Sequence, residues 1–292
     1  MKKTVIIIAG LLLIFLLVRT NSKGKQLTNH IKGVIHKTFS SPDYINKNGD
    51  SIVTRVKVPK GYRRVLYPKH SFQEYLRNYP LKKYGVPIIN YDGSRYFAQH
   101  WHDAVLEIPV PKNGLQQCAD ALMRIRAEYL WNTNQKQKIG FQFTSGHYCS
   151  WEKYAAGFRP RVKGNTVSFH KTAAPNYSKA NFYKYLNLIF TYAGTASLYA
   201  ELPKVAIKNL TIGDMLVKPG FPGHIEIIVD VITNEKGERL FLLAQGNTPA
   251  QNICLLKNFE ATEISPWYQF KEDEPVYTPS YYFDKPIFVR FK

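Results

Sequence analysis

Cysteine is scarce in this 292-residue chain, with Cys118, Cys149 and Cys254 as its only three. So few thiols exclude a disulfide-dense scaffold. The odd count leaves at least one unpaired within the chain, which suits either a thiol enzyme or inert buried side chains. Acidic residues are also few, 21 Asp and Glu against 40 Lys and Arg, giving a formal charge of +19. That excess attracts anionic surfaces, which outside a bacterial cell include phospholipid and wall polymers. The basic residues are dispersed, however, with local groups such as Lys60-Gly61-Tyr62-Arg63-Arg64. No helix, finger or aromatic-plus-glycine nucleic-acid module is recognisable, so nucleic acid is not an expected partner. Tandem repeats and long low-complexity stretches are absent.

Long apolar runs are missing except for Val5 through Val18, which follows Lys2-Lys3 and is closed by Arg19. The run is long for a signal-peptide core and short for a spanning helix. Neither a small-x-small cleavage pattern nor a lipid-attachment cysteine follows it. Residues 1–20 are therefore expected to be a signal peptide or transmembrane anchor, with the uncleaved anchor preferred. The rest of the chain would be exported. It would face the periplasm or cell exterior from the inner membrane, or be secreted if the signal is cleaved.

The apolar content of 45% supports a substantial core. Residues 21–59 read as a polar, basic linker or lead-in and residues 60–292 as a single α+β domain. Strand candidates include Ser51–Val56, Ala104–Ile108 and a terminal strand at 286–291. Residues 114–131 carry helical periodicity, with Cys118, Leu122, Ile125 and Tyr129 on one side, and a second helix is expected over 180–190. His224 opens an apolar strand, and Phe241–Gln245 forms another after a turn over Asn234-Glu235-Lys236-Gly237.

Three of these residues suggest chemistry. Cys118 lies near a helix start, where unpaired N–H groups and the helix dipole favour a thiolate, although the same spacing also makes it a member of a buried apolar stripe. His224 is placed to act as its base, and Gln245 would orient the imidazole if the two strands form a hairpin, with Asn247 a competing orienting residue. Gln116, Gln117 and the Cys118 N–H are candidate donors to a developing oxyanion. Arg124 and Arg126 could recognise a substrate carboxylate, although pairing with Glu128 is the simpler account. Aromatic residues, Trp101 among them, could line a glycan groove, with Gln117 and Asn247 as further substrate contacts. His100-Trp101-His102-Asp103 contains possible metal ligands but completes no standard zinc spacing, so neither metal nor cofactor is expected.

Several ordered motifs carry a resemblance. Gln117-Cys118-Ala119-Asp120-Ala121, Arg124 to Tyr129, Phe143-Thr144-Ser145-Gly146, Tyr192 to Leu198, Gly213-Asp214, Gly220 to His224 and Leu243-Ala244-Gln245 with Pro249-Ala250-Gln251 resemble an uncharacterised family of exported bacterial proteins. That family is known as domain of unknown function number 4846, and the resemblance covers roughly residues 60–292. It implies an envelope setting and no established reaction. The Gly-Asp turn followed by Gly-His and an apolar strand also resembles the histidine half of papain-like cell-wall peptidases of the NlpC and amidohydrolase type. This second resemblance implies a papain-like core, an antiparallel sheet packed against helices, with Cys118, His224 and Gln245 as the catalytic set. Cys118 departs from the usual Asp-Cys-Ser-Gly wording, and Cys149 in Tyr148-Cys149-Ser150-Trp151 is closer to it but lacks as clear a helix start. The expected function is an exported cysteine peptidase or amidase, or a related acyl-transfer enzyme, acting on peptide or amide bonds of peptidoglycan. The alternative is a noncatalytic envelope protein that binds peptidoglycan or an envelope partner.

Overall fold

A computed structural model describes residues 44–292. The expected signal or anchor segment lies outside the described residues. Among the described residues no helix is long and apolar enough to cross a membrane. The architecture is mixed α+β, built on a large antiparallel sheet packed against helices. In chain order its nine strands are β1 (Tyr62–Arg64), β2 (His102–Val105), β3 (Lys204–Val205), β4 (Asp214–Lys218), β5 (His224–Asn234), β6 (Arg239–Gln245), β7 (Cys254–Leu256), β8 (Trp267–Tyr268) and β9 (Ile287–Arg290). They lie in the order β2-β7-β6-β5-β4-β9-β3, with β1 also pairing β5 and β8 also pairing β6.

β5 and β6 form the centre because nearly every side chain on both is buried, so neither shows a solvent-facing alternation. Their turn is the expected one. Asn234 Oδ1 accepts from the N–H groups of Lys236 and Glu238, and Gly237 supplies the positive φ that closes the loop. The strands pair from Arg239↔Thr233 to Ala244↔Ile227, with a register shift between Leu242 and Leu243. Continued by one pair, this register sets Gln245 beside Glu226, on the face shared by His224.

Helix α1 (Cys118–Asn132) packs against β5 and β6, with α2 (Lys179–Tyr192) against it, while α3 (Thr195–Glu201) packs on β4. α1 begins four residues later than the periodicity predicts. The backbone N–H of Gln117 is taken by Asp120 Oδ2 at 3.0 Å, which caps the helix there and makes Cys118 its first residue.

Two sequence expectations change. Ser51–Val56 is not a strand: Ile52–Arg55 is a short helix, and the Thr54 hydroxyl accepts from the Asp50 and Ser51 N–H groups. Residues 44–59, assigned to the lead-in, are also integral to the domain. Ile52 and Val56 are buried, and Arg55 turns inward onto the carbonyls of Gly49 and Lys82.

Candidate functional site

The sheet and α1 bring Cys118, His224 and Gln245 together. Cys118 projects from the first turn of α1, His224 opens β5 and Gln245 closes β6. His224 Nε2–H donates to Gln245 Oε1 at 2.7 Å, and the Ser280 hydroxyl donates to the same oxygen. Since Gln245 Oε1 can only accept, Nε2 carries a proton and Nδ1 is left for the Cys118 thiol, which interacts with the ring. The Tyr281 ring stacks on the imidazole at 5.1 Å between centroids, and its hydroxyl donates to the Pro222 carbonyl. These contacts fix the ring plane.

Close backbone approach makes the convergence possible. A side chain on Gly246 would place Cβ 2.9 Å from Ala121 Cβ and 3.7 Å from Cys118 Cα, so glycine here lets α1 settle onto the end of β6. At Gly223 a Cβ would collide with Thr195 Oγ1 and the Gly220 carbonyl, so the loop leading into His224 can only pass α3 without a side chain.

The electrostatics around His224 oppose one another. Burial pulls the imidazole toward its neutral form, but hydrogen bonding and charge interaction with Cys118 and Glu226 outweigh it and raise the pKa to about 10. Glu226 stands two residues along the strand, wholly buried, with Oε1 3.5 Å from His224 Nε2.

Cys118 and His224 border a cleft of about 680 Å³, with Gln245 buried behind the imidazole. Trp101, Gln117 and Asn247 also line it. Gln117 Oε1 accepts from Thr248, and Asn247 Nδ2 donates to Tyr96 Oη at 3.3 Å, so Asn247 does not orient His224. Arg124 is absent from the cleft. Its guanidinium is buried and donates to Glu128, the Pro109 carbonyl and Gln116 Oε1, a structural role, and Gln116 is itself wholly buried and does not line the cleft. Arg126 lies over the rings of Phe72 and Tyr129 and is likewise outside the cleft. Despite the charge of +19, no lysine or arginine among the described residues lines the cleft.

The other thiols lie elsewhere. Cys149 sits in the hairpin strand Tyr148–Ser150, where burial pushes its pKa up to about 12, and Cys254 is buried in β7 with its pKa raised for the same reason. Neither borders the cleft. Gly213-Asp214 is structural. Gly213 turns with a positive φ against Phe72, while Asp214 is buried and paired to Arg290 at 2.6 Å. Among the described residues no group of three or more His, Cys, Asp or Glu side chains is arranged to hold a metal ion.

Sequence reasoning missed Glu226, Ser280 and Tyr281. Glu226 carried a signal, since an acidic residue two positions from His224 in an apolar strand must share its face. Ser280 and Tyr281 arrive from a distant segment without such a signal.

Asp120 also borders the cleft. Burial raises its pKa to about 7, although its hydrogen bond to the Gln117 N–H opposes the shift. An unfolded aspartate titrates near 3.9. The folded chain thus retains a proton that the unfolded chain loses, so this group costs stability as pH rises from about 4 to about 7. Asp120→Asn keeps an acceptor for the cap and removes the titration. Chemical denaturation should show the variant gaining up to about 4 kcal/mol on the parent between pH 4 and pH 8. An unchanged pH profile would mean that Asp120 ionises freely in the fold.

Residues 52–290 match the protein-family model described as "Domain of unknown function (4846)". Searches of curated proteins and of solved structures each returned no match.

Proposed function

Because the chain belongs to the family of domain of unknown function 4846, whose description assigns no reaction, we propose from the site's geometry that it is an exported thiol hydrolase or acyl-transfer enzyme. Its substrate would be a peptide or amide bond of peptidoglycan. The observation that carries this reading is the meeting of Cys118 and His224 at the wall of a cleft, with the imidazole hydrogen-bonded to Gln245 behind it. A helix-start cysteine, a strand-start histidine and an amide on the neighbouring strand are the parts of a papain-like site, and a papain-like core is proposed on that basis.

The chemistry follows from the arrangement. His224 accepts the Cys118 proton on Nδ1 while Gln245 holds Nε2–H, and Sγ attacks the substrate carbonyl. The Cys118 backbone N–H, unpaired within the helix at its first position, is available to the developing oxyanion. The imidazolium then protonates the departing amine, and the acyl group left on sulfur passes to water or to an acceptor amine. A cleft bordered by aromatic rings and, among the described residues, by no lysine or arginine suits a neutral amide and glycan better than a polyanion.

The test is digestion of purified peptidoglycan by the exported domain, with new amino groups and released fragments as readout. The parent should generate them, and Cys118→Ala should reduce the rate by at least a thousandfold. Equal release by both proteins would eliminate Cys118 as nucleophile.

A noncatalytic reading also has a specific observation behind it. Phe97 and Phe221 are largely exposed at the cleft and could stack on sugars. Wall binding that survives Cys118→Ala, with no cleavage by the parent, would favour it.

A further inference from the structure

Glu226 has no role in the reading above, yet its position is difficult to explain by packing. The carboxylate is wholly buried at the centre of the sheet, and burying such a charge without a partner costs several kcal/mol. The Thr278 hydroxyl donates to Oε1 at 2.7 Å, and His224 is the ion-pair partner of that same oxygen. Among the described residues, the other titratable groups around this pair are the Cys118 thiol from α1, Tyr281 from the C-terminal segment, Cys254 from β7, Tyr268 from β8 and Lys218, which pairs with His224 across β4 and β5. Lys218 is the one cation of this set and its half-exposed ammonium turns to Asp284 at 3.3 Å, so the imidazole is the group placed to balance Glu226.

Nε2–H therefore faces two acceptors, Gln245 Oε1 at 2.7 Å and Glu226 Oε1 at 3.5 Å. Gln245 fixes the ring's orientation but carries no charge. Glu226 adds the charge on the Nε2 side of the ring.

We propose that Glu226 is a positioning residue of this site, its buried carboxylate holding His224 as the imidazolium and thereby keeping Cys118 as the thiolate. The proton that leaves Sγ resides on Nδ1, and Nε2 keeps its own. This inference rests on the reading of Cys118 as nucleophile for its second half only, since the Glu226–His224 coupling is independent of what the thiol does.

Glu226→Gln tests it, because glutamine keeps an acceptor for Thr278 and removes the charge. Two quantities would be measured on the parent and the variant: the His224 ring titration by histidine NMR, and the rate of Cys118 alkylation by iodoacetamide between pH 5 and pH 10. His224 should lose its charge at least about one pH unit lower in the variant, and alkylation near pH 6 should fall several-fold. Glu226→Asp, which retains the charge, should shift the titration less than Glu226→Gln does, and serves as the second variant if the glutamine protein folds poorly. Identical His224 titration in the parent and both variants would overturn the proposal. An inert Cys118 in the parent, with His224 still shifted by Glu226→Gln, would support the coupling and overturn the nucleophile reading instead.

Discussion

Replacing His224 with alanine is expected to slow alkylation of Cys118 on the order of tenfold at pH 7, while Cys149 and Cys254 remain unlabelled in both proteins. An ordinary cysteine is only about 3% thiolate at pH 7, whereas a thiol paired with an imidazolium is largely ionised. The full ratio of about thirty is reduced because a thiolate stabilised by its surroundings is a weaker nucleophile. His224 is suited to the charged role, with its pKa held near 10 by Cys118 and Glu226 against the pull of burial. The contrast among the three cysteines has a physical basis in position. Cys118 borders the cleft, whereas burial drives Cys149 up to about 12, and burial together with the charges of Glu226 and Asp103 raises Cys254. Time courses with site-resolved mass spectrometry would measure all three together. Equal labelling of Cys118 with and without His224 would remove the imidazole from the thiol's chemistry, and faster labelling of Cys149 would relocate the site.

The second large effect concerns the fold. Asp230→Ala should destabilise the domain by about 3–5 kcal/mol, the usual cost of leaving a buried charge without its partner. Asp230 is wholly buried on β5 and accepts from Arg64 at 2.8 Å and from Arg77 at 2.6 Å. Arg64 comes from β1 and Arg77 from the helix Phe72–Arg77, so one carboxylate ties two peripheral elements to the central strand. Arg77 also donates to the Val65 and Val231 carbonyls and cannot leave without breaking those bonds. Urea denaturation of the parent and the variant gives the difference directly. A loss below about 1 kcal/mol would show that both guanidinium groups reach water once released.

The two predictions separate site from scaffold, although His224 and Asp230 share one strand. His224 opens it at the cleft, where removal is expected to change a thiol's reactivity. Asp230 lies six residues on, where removal unfastens the periphery.

Much of the site's local framework was legible from local pattern. The hairpin of β5 and β6 follows from two apolar runs around a turn in which Asn234 and Gly237 perform specific tasks. Gln245 was legible as a partner for His224 because hairpin geometry brings the end of one strand beside the start of the other. The start of α1 was read early because apolar periodicity locates a helix face, whereas the boundary depends on one side-chain bond from Asp120. Ser51–Val56 was misread for a related reason. Its β-branched residues fit a strand, but the Thr54 hydroxyl captures two backbone N–H groups and closes a helical turn.

By itself, the sequence determined which residues are the candidates for chemistry: a cysteine near a helix start, a histidine at the head of an apolar strand and a glutamine within reach of it. These are consequences of local periodicity and turn residues, which act over a few positions. Tertiary structure alone decided which of the polar residues meet. It withdrew Arg124 and Gln116 into a buried network, delivered Ser280 and Tyr281 from the far end of the chain, and put the charge of Glu226 on the Nε2 side of the imidazole. Such choices depend on the distance between segments far apart in sequence and on which groups are removed from water, and neither is encoded in any local window.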